Sequence, residues 1–122
     1  MTPDEFTALA RGLGPGIHPK AIFETVQFRV GGKVFATLGW PSADWAVVKV
    51  APSRQAWALS LSVGASLETG RRRKAGIILL RLAALDEAAA AELLAAAWSF
   101  AQGAPARQGR AVTATAALGL SA

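Results

Sequence analysis

The chain has 122 residues, 52% of them hydrophobic, and carries 13 basic against 8 acidic residues, a net charge of +5. That length and composition suit one ordinary domain with its own core and exclude a disordered chain. There is no cysteine, which excludes disulfides, thiolate zinc sites, iron–sulfur ligation and cysteine nucleophiles.

The positive charge is concentrated. Arg71, Arg72, Arg73 and Lys74 supply four of the cations, and without them the net charge falls to about +1 (5 − 4), so the basicity is a focused field rather than a general coat. The opening Met1-Thr2-Pro3-Asp4-Glu5 is acidic and lacks the basic start and apolar run of a secretory signal. Apolar stretches are broken by Arg81 or Glu92, short of the roughly 18–20 residues that span a bilayer. A bacterial-type cytoplasmic protein with no membrane segment is the expectation.

Thr2 as cap, Pro3 at the first helical position and Glu5 three residues after Thr2 spell a capping box. Phe6, Leu9, Ala10 and Leu13 then recur at helical spacing, and Gly12, Gly14, Pro15 and Gly16 end the helix. A loop through His18 and Pro19 is expected next. Val26, Phe28 and Val30 alternate with Thr25, Gln27 and Arg29 as a strand, Gly31-Gly32 turns it, and Lys33 to Leu38 return. A two-residue turn, the preferred reading, puts Phe35 on the face of Phe28; a three-residue turn puts Val34, Ala36 and Leu38 there.

Gly39, Pro41, Ser42 and Asp44 mark a second turn before a strand Trp45–Val50. Pro52-Ser53 opens a short helical stretch, and Ala65–Thr69 reads as a further strand. The basic run follows, then Ile77–Leu82, apolar enough to be covered on both faces. Asp86 caps a last helix whose buried stripe is Leu93, Leu94, Ala97, Trp98 and Ala101, and Gly103 and Pro105 stop it. Residues 1–102 therefore read as one domain. Residues 103–122, rich in Ala and Gly, read as a C-terminal extension, a flexible tail or an extended segment packed on the domain or a second copy. The order of elements argues for an α+β fold, an antiparallel sheet with the N- and C-terminal helices on one face.

The hairpin Phe28-Arg29-Val30-Gly31-Gly32-Lys33-Val34-Phe35-Ala36-Thr37-Leu38 resembles that of the MmcQ/YjbR family, as do the opening Thr2-Pro3-Asp4-Glu5-Phe6 and the closing Leu93-Leu94-Ala95-Ala96-Ala97-Trp98. The similarity runs over residues 2–101 in order. The resemblance implies a fold like that of CyaY and frataxin and a role in DNA binding. The family's strand after the basic loop usually carries a Trp near the position of Ile77, so this chain departs from the pattern there.

Nucleic-acid binding is the leading functional reading. Arg71, Arg72, Arg73 and Lys74 between two strands can neutralise phosphates, and Lys33, Arg29 and Arg81 extend the footprint if they share a face. The partner would be DNA, as a double strand, or RNA. The bland reading of the run is a solvated basic loop. No recognition helix is expected, since the last helix carries Asp86, Glu87 and Glu92. The alternative is a protein-interaction or self-assembly module, a homodimer or other homo-oligomer, with Trp40, Trp45 and Trp57 as anchors and a tail strand such as Ala111–Ala117 adding to a sheet edge.

Iron handling, which the frataxin-like fold raises, would need clustered carboxylates; the first helix offers only Asp4 and Glu5, both explained by helix-start electrostatics. No cofactor and no metal are expected. An enzyme is not expected either: His18 stands alone in a Pro/Gly loop, and no serine has a nucleophile-elbow context.

Overall fold

A computed structural model of the chain describes residues 1–68 and 76–103. The basic run Arg71–Lys74 and the proposed tail strand Ala111–Ala117 lie outside the described residues. Helix α1 (Pro3–Arg11) leads into β1 (Ile17–Ile22), β2 (Thr25–Val30), β3 (Lys33–Leu38) and β4 (Trp45–Lys49). A 3-10 turn at Pro52–Arg54 and helix α2 (Gln55–Ser60) precede β5 (Ala65–Leu67), β6 (Ile77–Arg81) and helix α3 (Glu87–Ala101). The strands form one antiparallel six-stranded sheet in the order β1-β2-β3-β4-β6-β5. The fold is α+β, with α1 and α3 packed on each other and on the central strands. No helix among the described residues is long and apolar enough to cross a membrane.

Both long helices start as the residues dictate. The Thr2 side chain accepts from the Glu5 N–H at 3.1 Å, and the Glu5 carboxylate accepts from the Thr2 N–H at 2.7 Å, so two donors left over by the helix start are satisfied reciprocally. Asp86 accepts from the Ala89 N–H at 2.7 Å. Along α3 the buried residues are Ala89, Ala90, Leu93, Leu94 and Ala97; three alanines among them let the helix axis approach the sheet closely.

The segment expected as a loop through His18 and Pro19 is instead the edge strand β1. Its burial does not alternate, with every residue from His18 to Ala21 exposed, so period-two hydrophobicity could not reveal it. Pro19 is tolerated because an edge strand leaves one row of backbone groups unpaired. The β2–β3 hairpin turns on Gly31-Gly32, with Val30 opposite Lys33 and both glycines at positive φ. That is the two-residue turn, and a bulge then reconciles the two alternatives. Arg29 pairs with Val34 and Phe28 with Ala36, so Phe35 is the extra residue of β3. Phe35 and Ala36 both enter the core, and so does Leu38 two residues on.

The core lies between this sheet face and the helices. Phe6 of α1, Phe28 of β2 and Phe35 of β3 form a chain of rings with centroids 6.2 and 6.5 Å apart. All three are buried, each contributing roughly 1.5–3 kcal/mol by area. Ala46, Val48, Ile78 and Leu80 extend the core across β4 and β6. Full coverage of the last strand is not observed: β6 ends at Arg81, which is exposed, and Leu79 is only half-buried.

Candidate nucleic-acid interface

The alternation of side chains, carried across the sheet by the pairing register, defines what the face opposite the helices presents. Gln27 lies opposite Lys20 on one side and Thr37 on the other, Thr37 opposite Val47, Val47 opposite Leu79, and Leu79 opposite Ser66. Toward the Gly31-Gly32 turn the same face holds His18, Arg29 and Val34 across β1, β2 and β3, and Lys49 and Ile77 across β4 and β6. At the other end it holds Thr25, Trp45 and Arg81. Among the described residues five basic side chains therefore share this face: His18, Lys20, Arg29, Lys49 and Arg81. Glu68, the described residue that follows β5, is a carboxylate on the same trough as Lys49.

Of the candidates named from sequence, Arg29 and Arg81 share the face and Lys33 does not. Lys33 pairs with Val30, whose side chain enters the core, so the register assigns it to the helix side at the hairpin tip, where it is exposed. The Arg71–Lys74 candidates are outside the described residues; Glu68 and Gly76, which flank them, stand at the end of the sheet that carries Lys49. His18, Lys20 and Lys49 were absent from the sequence-level site. Lys49 could have been found from the alternation Trp45, Val47, Lys49; the other two could not once their segment was read as a loop.

The two arginines are held differently. Arg29 is half-buried, and its Nη2 donates to Gln27 Oε1 at 2.6 Å, two residues back along the same strand face. Its Nε is buried without a hydrogen-bond partner, a charged donor with unused capacity. Arg81 is exposed, and its guanidinium lies 5.5 Å from the ring centroid of its cross-strand partner Trp45. An exposed contact of this kind contributes about 0.5–1 kcal/mol and leaves most N–H groups free to meet an anion. Trp57 belongs elsewhere, with Arg54 over its ring at 4.0 Å on the α2 side of the molecule.

On the same face, with Lys49 in its lining, lies a shallow trough of about 390 Å³. Thr25, Gln27 and Thr37 supply polar groups, Trp40 forms part of the rim, and Val47 and Ile77 supply apolar floor. Trp40 is 41% exposed. Among the described residues no group of three or more His, Cys, Asp or Glu side chains could hold a metal ion. Comparison of the chain with protein-family models, curated proteins and solved structures found no match.

Proposed function

We propose that this chain is a small non-enzymatic nucleic-acid-binding protein that lays the sheet face opposite its helices against the phosphates of double-stranded DNA, with Arg71–Lys74 as a further contact. The observation that carries the reading is the gathering of His18, Lys20, Arg29, Lys49 and Arg81 on that one face. Arg29 and Lys49 stand on strands two apart, about 10 Å by strand spacing, a separation suited to different phosphates of one backbone. Such contacts release counterions and give affinity that falls steeply with salt. We also propose membership of the MmcQ/YjbR family, on the ordered similarity over residues 2–101 described above.

The test is fluorescence anisotropy with a labelled mixed-sequence duplex across a range of salt. Binding is expected to weaken linearly in log–log form, with a smaller slope for Arg29→Gln/Lys49→Gln and for Arg71→Ala/Arg72→Ala/Arg73→Ala. Equal binding by all proteins, or none at low salt, overturns the reading. The second reading is self-association through the same face, favoured by the half-buried Val47 and Leu79 at its centre. Sedimentation velocity separates the two, since a dimer sealed through this face would hide the basic residues.

A further inference from the structure

The trough on the sheet face is built for more than phosphate. We infer that it takes an unpaired nucleobase, so that a single strand binds more tightly than the duplex whose phosphates the same cations meet. The inference rests on the nucleic-acid reading above and specifies the form of its ligand.

A duplex presents phosphates and groove edges, while the faces of its bases are closed by stacking. An unpaired nucleotide presents a flat aromatic face, a polar edge and a phosphate together. The trough offers a partner for each. Trp40, on the rim and 41% exposed, supplies a π-surface. Gln27 and Thr37, directly opposite each other on β2 and β3, supply an amide and a hydroxyl, and the Thr25 hydroxyl, which donates to the Ile22 carbonyl, adds an acceptor. Because Gln27 Oε1 accepts from Arg29, its amide NH2 is the group left to donate into the trough. Lys49 is the cation of the lining and suits the phosphate, and Glu68 is its carboxylate.

The volume agrees. About 390 Å³ lies in the range of small-ligand sites, roughly 300–1,000 Å³, large enough for one nucleotide. Phosphate-only binding would need the cations but not a trough, an exposed indole or convergent amide and hydroxyl groups. Stacking on an indole is indifferent to base identity because every base has a π-face, so the inferred preference is for unpaired over paired bases rather than for a sequence.

The experiment compares labelled oligothymidylate, an abasic strand of the same length, and thymidine monophosphate, by anisotropy or, for the nucleotide, competition. Oligothymidylate is expected to bind roughly tenfold or more tightly than the abasic strand, which keeps the phosphates but has no bases. Trp40→Ala should erase that difference while leaving abasic binding unchanged. Thr37→Val, which keeps the side-chain shape and removes the hydroxyl, should narrow it, so a poorly folded Trp40 variant does not leave the result undecided. Equal affinity for the two strands overturns the base site and leaves the phosphate reading standing. Absence of binding to either strand and to duplex overturns both. Thymidine monophosphate binding as tightly as the oligonucleotide overturns the strand and assigns the trough to a free nucleotide.

Discussion

Val50 donates its backbone N–H to the carbonyl of Gly76 at 2.9 Å, and Gly76 holds a φ of +84° against the Val50 carbonyl, so that a Cβ at position 76 would fall upon it. This contact ties the residue that enters β6 to the residue that leaves β4. It sets the end of the β4–β6 pairing, and with it the placing of Lys49 opposite Ile77.

Gly76→Ala should therefore cost more than the left-handed conformation alone. Gly32 offers the control, with φ +80° and open space where a Cβ would go. Gly32→Ala is expected to lower stability by about 1–2 kcal/mol, the steric cost of the left-handed region. Gly76→Ala should lose about 3 kcal/mol or more, since backbone must also move. Urea denaturation of both variants measures the difference; equal losses would show that the Val50 approach is not a constraint.

A second close approach joins the loop after α1 to α3. A Cβ on Gly14 would stand 2.8 Å from the Trp98 ring, so Gly14→Ala must displace the indole. The expected cost is about 1–3 kcal/mol, as for other overpacked sites, with a changed near-ultraviolet dichroism reporting the moved indole. Unchanged spectra and stability would mean that the half-buried ring turns aside freely.

The capping box predicts a pH effect with a definite sign. The Thr2 backbone N–H that the Glu5 carboxylate accepts holds its pKa below the ordinary 4.5, although the carboxyl is fully exposed. A depressed folded-state pKa means that this stabilisation is present above the unfolded value and is lost as pH falls through the lowered one. Carbon-detected titration should place Glu5 below a peptide reference. Thr2→Ala, which removes the side-chain half of the box, should cost about 1 kcal/mol near neutral pH.

The two sides of the sheet give contrasting charge variants. Arg29→Gln, on the face opposite the helices, should weaken duplex binding at low salt and reduce the slope of log affinity against log salt by about one. Lys33→Gln removes the same charge from the helix side and should leave that slope nearly unchanged. A larger loss of slope for Lys33→Gln than for Arg29→Gln would point to the hairpin tip, not the sheet face, as the surface that meets DNA.

Several features were legible in the residues because their causes are local. Thr2, Pro3 and Glu5 make the capping box within one helical turn, Asp86 caps α3 the same way, and Gly31-Gly32 turns the hairpin through positive φ that only glycine adopts readily. Alternation and helical spacing along β2, α1 and α3 named Phe6, Ala10, Phe28, Val30, Leu93, Leu94 and Ala97 of the core, and with them the α+β class. What needed the tertiary structure was whatever depends on a partner distant in sequence. Segment 17–22 has no apolar alternation and is a strand only because β2 pairs with it. The bulge at Phe35 appears only when β3 is laid against β2, and it admits two consecutive residues to the core. The β2–β3 and β3–β4 registers decide that Lys49 shares a face with Arg29, and the β4–β6 register adds Arg81. Lys33, two turn residues beyond the strand that holds Arg29, falls on the other side. Side-chain direction alternates with every residue, so a charge's face is set by pairing register, and register is settled by contacts between strands rather than by any one of them.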